Sequence, residues 1–268
     1  MKNLLIYINP RKDFDDEGDE GKIAVKIQID NCLDLGWKRE DILLVTNFPY
    51  EYSGVKSLEI SEDGYCSFYP QGSKSWVMPE IFEKGFIEKG EIYWLHDFDC
   101  YQNEVITESE IESELGAADF GLTDKGRMPL WNMGSIFFKD SAGDIFRMIK
   151  DLSRKYEASE EPSLMVMTTN NLLWATMSQA DIGDRFVPAN IIGAENINER
   201  VKKINISYNL RMWNIDSTVK IAKKPIRAIH FSPSLKNELD FFMYGKNKIN
   251  TVLISERLIK IFHKYGIK

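Results

Sequence analysis

The chain opens with an apolar strand, a helix and a second apolar strand, and this order constrains the fold more than any other feature. Residues 4–8 are a short apolar run that Asn9-Pro10 ends, as expected of a fully buried strand. Residues 23–35 space their apolar side chains as a helix does, and Gly36 ends it. Residues 41–46 form the next apolar run. This β-α-β unit predicts a sheet with parallel strands and helices on its faces.

The rest of the chain continues the alternation of strands and helices. Apolar runs predict further strands at 91–96, 130–139 and 226–231, and helical spacing predicts helices at 76–84, 142–156, 162–177 and 251–265. Residues 47–72 are rich in aromatic and turn residues and predict short strands at most. Because no repeat or low-complexity linker divides the chain, residues 1–268 are expected to form one mixed α/β domain.

Composition excludes several classes of protein. Of the 268 residues, 43% are hydrophobic and 28% are charged, which is typical of a folded globular chain. No apolar run approaches the ~20 residues that a membrane-spanning helix needs, and the run at 4–8 is too short for a secretory signal. Cys32, Cys66 and Cys100 fit neither a disulfide framework nor a zinc site. We therefore expect a cytoplasmic protein without a membrane span.

Charge is distributed unevenly along the chain. The formal net charge is -7, yet residues 200–268 contain 15 Lys or Arg against 4 Asp or Glu, which leaves 19 basic and 37 acidic residues in the first 199. This asymmetry favours an anionic partner for the C-terminal part, either a polyanion or a nucleotide diphosphate. For any single lysine, a solvated surface position is the simpler interpretation. The acidic run at 13–20 lacks the spacing of an EF-hand and predicts a surface loop.

Two carboxylates directly follow an apolar strand. Asp97-Phe98-Asp99 comes after residues 91–96, and ligands bind at the carboxyl edge of strands in open α/β sheets. Residues i and i+2 of an extended segment point to the same side, so both carboxylates can bind one hard cation. Such a cation can hold a diphosphate and stabilise it as a leaving group. Most isolated Asp-x-Asp sequences are surface turns, but the buried strand before this one favours a site.

A histidine and a lysine follow the last predicted strand. His230 begins the segment His-Phe-Ser-Pro-Ser-Leu-Lys, which ends six residues later at Lys236. A lone histidine at a strand end is more often structural, but imidazole suits Mn²⁺ as a third ligand, and a lysine can neutralise a phosphate. His230 is therefore a candidate metal ligand and Lys236 a candidate phosphate contact.

The order of these motifs resembles a known family. The sequence contains, in order, a strand with Asp-x-Asp, the segment Asn-x-Gly-Ser-x-x-Phe-Phe-Lys from Asn132, and the late His-Phe-x-x-x-x-Lys. This pattern resembles nucleotide-sugar glycosyltransferases of the GT-A fold, most of all the glycogenin-type family 8 branch, over residues 4 to about 240. The resemblance implies a GT-A-like, Rossmann-type mixed sheet flanked by helices in a single domain. It implies a nucleotide-binding half (1–100) ending in Asp-x-Asp and an acceptor half (101–268) with the His/Lys segment.

The same resemblance implies roles for individual residues, with Mn²⁺ or Mg²⁺ as cofactor and a nucleotide sugar, usually a UDP-sugar, as donor. Metal binding is implied for Asp97, Asp99 and His230. Nucleotide-sugar binding is implied for Tyr7, Asn9, Arg11, Asp97, Phe98, Gly134 and Lys236, of which Asn9 and Arg11 would lie near the base. Catalytic roles are implied for Asp97, Asp99, Asn132 and Lys236, and Asn132 and Gly134 would lie beside the donor sugar and the acceptor.

The sequence departs from the family pattern at three places. Pro233 replaces a glycine, and Asn237-Glu238 stand where the family has Pro-Trp, so the backbone approach to the phosphates differs. Thr169-Asn170-Asn171 lies where the family has an acidic pair, and Asp181 and Asp184 follow it. No catalytic base is therefore assigned, and neither retention nor inversion is predicted. In a retaining reaction of this kind, the leaving phosphate can take the acceptor's proton and positioning supplies much of the rate.

Several other side chains have two interpretations. Trp131 is either a sugar-stacking platform or a buried core aromatic. Tyr208-Asn209 resembles a Tyr-Asn segment that precedes the final strand in many of these enzymes, and it could equally anchor a loop. Arg127 is a substrate clamp or, slightly favoured, a surface arginine. His96 points away from Asp97 along the strand and is predicted to be packed and hydrogen-bonded, whereas His263 is expected at the surface.

The acceptor is open at this point. The segments at 2–10 and 35–47 are similar to uncharacterised phage and environmental viral proteins, which implies a host-cytoplasmic protein. The hydroxymethyl group of modified pyrimidines in phage DNA is then one candidate acceptor, and a glycan or protein hydroxyl is the alternative. Two other classes are a Mg²⁺-dependent phosphohydrolase, whose common type has Asp-x-Asp after the first strand, and a non-catalytic binding module on the same fold. The oligomeric state is not predicted.

Overall fold

A central mixed sheet organises the computed structural model, which describes residues 1–9, 20–61, 64–126, 130–168, 196–212, 218–231 and 253–267. The strands are β1 (Lys2–Tyr7), β2 (Ile42–Thr46), β3 (Glu51–Tyr52), β4 (Val55–Glu59), β5 (Ile92–His96), β6 (Cys100–Gln102), β7 (Phe120–Asp124), β8 (Trp131–Lys139), β9 (Val201–Lys203), β10 (Leu210–Arg211) and β11 (Ala228–His230). The helices are α1 (Glu20–Asp34), α2 (Ser73–Glu83), α3 (Glu108–Leu115), α4 (Gly143–Tyr156), α5 (Glu160–Val166) and α6 (Glu256–Lys264).

The strand order places one carboxyl edge of the sheet beside a small second sheet. The central sheet has eight strands in the order β3-β4-β2-β1-β5-β8-β7-β9, and the second sheet has the order β10-β11-β6. β1 pairs in parallel with β2 and β5, so these three strands end at the same edge. β8 is antiparallel to both of its neighbours, β5 and β7. β6 follows β5 almost directly and pairs with β11.

Helices cover both faces of the first strands, which explains their unbroken apolar runs. Leu4 belongs to the apolar cluster that contains Val77 of α2 and Phe146 of α4. Its neighbour Leu5 belongs to the cluster that contains Val25 of α1. Because successive side chains of a strand point to opposite faces, one apolar run supplies two cores. The mixed α/β architecture with a sheet flanked by helices in a single domain is confirmed.

The predicted strands and helices occur with shifted bounds, and several are shorter than predicted, including the helix predicted at 251–265, which is α6 (Glu256–Lys264). The helix predicted at 162–177 is α5, which ends at Val166, and the Met167 carbonyl accepts from Ile197 N–H (2.9 Å). Residues 169–177 of that prediction lie outside the described residues. The strand predicted at 226–231 is limited to β11, since Arg227 N–H donates to Ser207 C=O (2.8 Å). The acidic run at 13–20 lies outside the described residues up to position 19.

Three elements between residues 100 and 124 were not predicted. β6 has only three residues, too few for a periodic pattern. β7 includes Gly121, which weakens a strand signal. α3 is a mainly acidic helix whose only apolar side chains are Ile111 and Leu115, one turn apart. In the part of the chain that is described, no helix is long and apolar enough to span a membrane.

Candidate active site

Two aspartates and a histidine from separate strands meet at the edge of the central sheet. Asp97 and Asp99 follow β5, and His230 is the last residue of β11. β11 runs antiparallel to β6, and Phe231 N–H donates to Asp99 C=O (2.8 Å). His230 Nε2 consequently lies 3.3 Å from Asp99 Oδ1 and 4.0 Å from Asp97 Oδ2.

This Asp-Asp-His cluster fits a divalent cation. One ligand atom from each of the three residues lies within 4.8 Å of the others. The Asp97 and Asp99 side chains are 32% and 35% exposed, whereas His230 is 9% exposed, so the cluster is open on its carboxylate side. Carboxylate oxygens suit Mg²⁺ and Mn²⁺, and a single imidazole favours Mn²⁺. The three residues could therefore hold a divalent metal ion.

The segment that carries the two carboxylates is a turn. The expectation that residues 97 and 99 point to the same side of an extended segment is therefore wrong. Cys100 N–H donates to Asp97 C=O (3.0 Å), which closes the turn around Phe98. Gln28 of α1 supports it, because its Nε2 donates to Phe98 C=O (2.9 Å) and Cys100 C=O (3.0 Å). Both carboxylates still face His230, but tight turning of the chain brings them there rather than strand alternation.

A buried cation, Lys74 of α2, binds one of the carboxylates. Lys74 is 7% exposed, and its Nζ donates to Asp97 Oδ1 and to Met133 C=O (2.8 Å). Burial alone would raise the pKa of Asp97, but Lys74, with a smaller effect from His230, holds that pKa below its ordinary value. The sequence does not reveal the role of Lys74, because its partners lie 23 and 59 residues away and no local pattern marks it.

Two glutamates of α5 lie behind Lys74. Glu160 is buried with Oε1 at 3.9 Å from Lys74 Nζ, and burial raises its pKa to about 7 against the opposing effect of Lys74. Glu161 Oε1 accepts from Met133 N–H (3.3 Å), and its other oxygen binds Lys125 Nζ (2.5 Å). Both backbone polar groups of Met133 are thus bound by side chains, which fixes β8 beside the cluster.

β8 places Asn132 and Gly134 next to the cluster. Gly134 C=O accepts from Asp97 N–H (3.0 Å), and Asn132 Oδ1 accepts from Gly134 N–H (3.1 Å). A Cβ at position 134 would lie 2.6 Å from His230 Nδ1 and still closer to Cε1. Only glycine leaves room for the imidazole here. The contacts of Asn132 and Gly134 with a donor sugar and an acceptor stay predictions.

A pocket of about 340 Å³ opens beside the cluster. Tyr7 and Phe98 line it together with Lys74, and their rings meet edge to face with centroids 6.0 Å apart. Asn9 adjoins this wall, because its N–H donates to Asn47 Oδ1 (2.9 Å) and its Nδ2 donates to the Tyr7 hydroxyl (3.1 Å). The fold therefore brings together five of the residues predicted for nucleotide-sugar binding: Tyr7, Asn9, Asp97, Phe98 and Gly134.

The other predicted site residues lie outside the described residues. These are Arg11 and Lys236, together with Arg127, Asp181, Asp184 and the segments at 169–171 and 233–238.

The surroundings of Trp131, His96 and His263 test what was expected of these three side chains. Trp131 is a buried core residue whose Nε1 donates to Thr168 Oγ1 (3.0 Å). His96 is buried and stacks on Trp94, and burial lowers its pKa to about 4. Its ring nitrogens lie 3.0 Å from Asp97 C=O and 3.1 Å from Asn3 Oδ1, so the prediction of a packed, hydrogen-bonded histidine is confirmed. His263 is exposed, as expected.

Comparisons with known proteins identify the fold. No family model matches the chain, and no curated protein matches it. The solved structure of the galactosyltransferase LgtC in complex with donor and acceptor sugar analogues is 10% identical, covers 98% of this chain and 96% of that chain, and has a TM-score of 0.55. The glycosyltransferase GlyE of Streptococcus pneumoniae TIGR4 is 9% identical, covers 100% of this chain and 65% of that chain, and has a TM-score of 0.54. The chain therefore has the GT-A fold of glycosyltransferases, as predicted.

Proposed function

We propose that this protein is a metal-dependent glycosyltransferase of the glycogenin-type branch, which moves a sugar from a nucleotide-sugar donor to an acceptor hydroxyl. The observation that carries the proposal is the convergence of Asp97, Asp99 and His230 beside a pocket at the carboxyl ends of β1 and β5. Ligands of open α/β sheets bind at this edge. Because one fold hosts many activities, the fold alone does not assign sugar transfer, and the residues of the site carry the proposal.

Asp97, Asp99 and His230 are the residues that would hold Mn²⁺ or Mg²⁺. A bound ion would clamp the donor diphosphate and stabilise its negative charge as it leaves. Lys74 contributes from the protein side, since it binds Asp97 Oδ1 and leaves Oδ2 turned towards His230. It also favours the ionised carboxylate that a metal ligand needs.

We propose a UDP-sugar as the donor. The pocket volume of about 340 Å³ lies within the range of small-molecule sites, and its aromatic wall of Tyr7 and Phe98 can pack against a base or a ribose. Asn9 and Arg11 would lie towards the base, and Gly134 towards the donor sugar. Lys236 would neutralise the diphosphate, which is its proposed catalytic contribution.

Sugar transfer forms a bond from the acceptor oxygen to the anomeric carbon and breaks the bond from that carbon to the diphosphate. In a retaining reaction, the acceptor attacks from the face that the diphosphate leaves, so the acceptor's proton can pass to the departing diphosphate and the step requires no base from the chain. Asn132 would then act by positioning the donor sugar and the acceptor.

The acceptor that we favour is a carbohydrate hydroxyl. LgtC was solved with an acceptor sugar analogue, and this chain covers nearly all of that enzyme's fold. The hydroxymethyl group of modified pyrimidines in phage DNA is the alternative, and it would place the enzyme in the host cytoplasm. A screen that offers both classes of acceptor with the same labelled donor distinguishes them by the product that takes up label.

Calorimetry with a panel of nucleotide diphosphates, with and without Mn²⁺, tests the donor side. We expect UDP to bind wild type only when Mn²⁺ is present. In Asp99→Asn, we expect Mn²⁺ no longer to increase UDP binding. Glu83→Asn is the matched control, because Glu83 is an exposed carboxylate that pairs with Arg147 away from the site. Thermal unfolding of each variant verifies that it is folded.

The same experiment separates the rival classes. A wild-type protein that binds no nucleotide under any metal condition contradicts the transferase proposal and leaves a binding module. Release of phosphate from UDP or from phosphate esters without any acceptor would instead support a phosphohydrolase. Transfer that requires the nucleotide sugar, and that is lost in Asp99→Asn, supports the proposal against both.

A further inference from the structure

The imidazole of His230 is held from two sides. On one side, its Cε1 and Nδ1 pack against Gly134 of β8. On the other side, His230 Nδ1 lies 2.9 Å from Asn209 Oδ1. The remaining nitrogen, Nε2, faces Asp99 Oδ1 at 3.3 Å. The ring therefore has one fixed orientation, with Nε2 towards the carboxylates and Nδ1 towards the amide.

Only one arrangement of the imidazole proton leaves the cluster ready for a metal ion. Coordination by Nε2 needs the lone pair on that nitrogen, so the ring proton must reside on Nδ1. A buried N–H needs an acceptor, and the amide oxygen of Asn209 is within hydrogen-bond distance. If the amide nitrogen faced the ring instead, it would donate to Nδ1 and force the proton onto Nε2.

The fold fixes Asn209 as firmly as it fixes the histidine. Asn209 is fully buried immediately before β10, and β10 pairs in parallel with β11. Its backbone N–H donates to Ile206 C=O (3.0 Å). Among the described residues, the polar neighbours of its side chain lie at the oxygen, namely His230 Nδ1 and Cys100 Sγ at 4.0 Å, while Nδ2 has no hydrogen-bond partner.

We propose that Asn209 is a positioning residue that keeps a proton on Nδ1 of His230 and so leaves Nε2, the nitrogen that faces the Asp97–Asp99 carboxylates, as the one that can give up its proton to bind a metal ion. The use of Nε2 for a metal ion rests on the proposed function, whereas the proton on Nδ1 does not. Asn209 touches neither the metal position nor the pocket, so it acts through His230 alone.

Nitrogen-15 NMR of the metal-free protein at about pH 8 tests the location of the proton, because protonated and unprotonated imidazole nitrogens have well-separated shifts. The chain has three histidines, and His230→Gln identifies the signals of His230. We expect Nδ1 of wild type to be the protonated nitrogen. In Asn209→Leu, which removes the acceptor at similar volume, we expect the proton to move to Nε2 and bind Asp99.

Two further variants distinguish loss of the Asn209 oxygen from a general disturbance of this segment. Asn209→Asp retains an oxygen acceptor and should keep the proton on Nδ1. Tyr208→Phe is the matched control: it removes the hydrogen bond from the Tyr208 hydroxyl to Glu110 (2.5 Å) in the same segment, but leaves Asn209 in place. This control should retain the wild-type proton location, since a merely structural disturbance of the segment does not move the proton.

Calorimetry with Mn²⁺ measures the consequence for the metal site. We expect Asn209→Leu to lose about 10–100-fold in Mn²⁺ affinity and Asn209→Asp to keep the wild-type affinity or exceed it. An unprotonated Nδ1 in wild type overturns the inference, as does an Asn209→Leu variant with wild-type proton location and affinity. Wild type that binds no Mn²⁺ contradicts the proposed function alone, and the NMR result then decides the inference about Asn209.

Discussion

Glu160 and His96 are two buried titratable groups whose effects on stability oppose each other over the same pH range. Burial raises the pKa of Glu160 from 4.5 to about 7, so the folded state holds a proton that the unfolded state has lost, and stability falls as pH rises through this interval. Burial lowers the pKa of His96 from 6.5 to about 4, so the unfolded state holds the extra proton and stability rises. Between about pH 4.5 and pH 6.5 the two contributions largely cancel.

Substitution of Glu160 by glutamine removes one of the two opposing contributions. The stability of the variant should then follow the pH dependence of His96, and its difference from wild type reports the contribution of Glu160. We expect the unfolding free energy of Glu160→Gln, minus that of wild type, to grow from about pH 4.5 to pH 7 by on the order of 2–3 kcal/mol and then to level off. Urea denaturation across this range measures the difference. Glu83→Gln, at an exposed carboxylate, should run parallel to wild type. A difference curve without slope for Glu160→Gln would show that Glu160 is not a buried acid with a raised pKa.

Single residues of the site differ in how far the sequence could reveal them. Asp97, Asp99 and His230 can be proposed from the sequence because they lie at the ends of apolar runs. Their meeting depends on the pairing of β11 with β6, which the sequence does not show. Lys74 and Glu160 are not predictable, because each is placed by its ion pair with the other and 86 residues of chain separate the two. A lysine or glutamate inside a helix pattern carries no mark of burial, and most such residues are exposed.

Strands with an unbroken apolar run were predicted well, and strands that depend on their neighbours were not. β1, β2 and β5 are buried on both faces, so each leaves a strong signal in its own residues. β9 (Val201–Lys203) has one buried and two exposed positions, and it exists because β7 supplies hydrogen bonds on one side. The carboxylate turn at residues 97–99 belongs to the same class, since Gln28 of α1 helps to hold it.

β8 and β11 approach each other closely at Gly134, and a substitution that adds one methyl group there tests this contact. Gly134 of β8 packs directly on the ring of His230, so Gly134→Ala must push the imidazole away from Asp97 and Asp99. We expect Mn²⁺-dependent UDP binding to weaken at least about tenfold, with an overpacking cost of about 1–3 kcal/mol in unfolding free energy. Calorimetry and urea denaturation measure the two quantities.

A second glycine provides the control for this substitution. A Cβ at Gly121 of β7 would meet the side chains of Leu115 and Ile204, so Gly121→Ala also overpacks the protein, but against residues outside the Asp97–Asp99–His230 cluster. We expect a comparable loss of stability with unchanged Mn²⁺ and UDP affinity. If Gly134→Ala binds Mn²⁺ and UDP as tightly as Gly121→Ala does, the expected displacement of the His230 imidazole does not occur.

The charge asymmetry of the sequence is partly taken up by ion pairs within the molecule. Among the described residues of the segment 200–268, six basic residues bind acidic residues of the first 199. The pairs are Arg200 with Asp119 and Asp144, Lys203 with Asp124, Lys223 with Glu114, Arg227 with Glu110, Arg257 with Asp34, and Lys264 with Asp30. The positive count of the C-terminal segment therefore overstates the attraction that a polyanion would experience, which is why it favours DNA as the acceptor only weakly.

These pairs predict the sign of the salt dependence of stability. A net charge of -7 taken alone predicts that salt screens repulsion and stabilises the fold. Attraction between the two parts of the chain predicts that salt destabilises the fold. Each partly exposed pair contributes at most about 1 kcal/mol, so we expect the free energy of unfolding to fall by on the order of 1–3 kcal/mol between about 0.05 M and 1 M NaCl. Urea denaturation at the two concentrations measures it. Arg200→Gln, which removes the contacts with Asp119 and Asp144, should show a smaller loss, whereas stabilisation of wild type by NaCl would mean that repulsion outweighs the pairs.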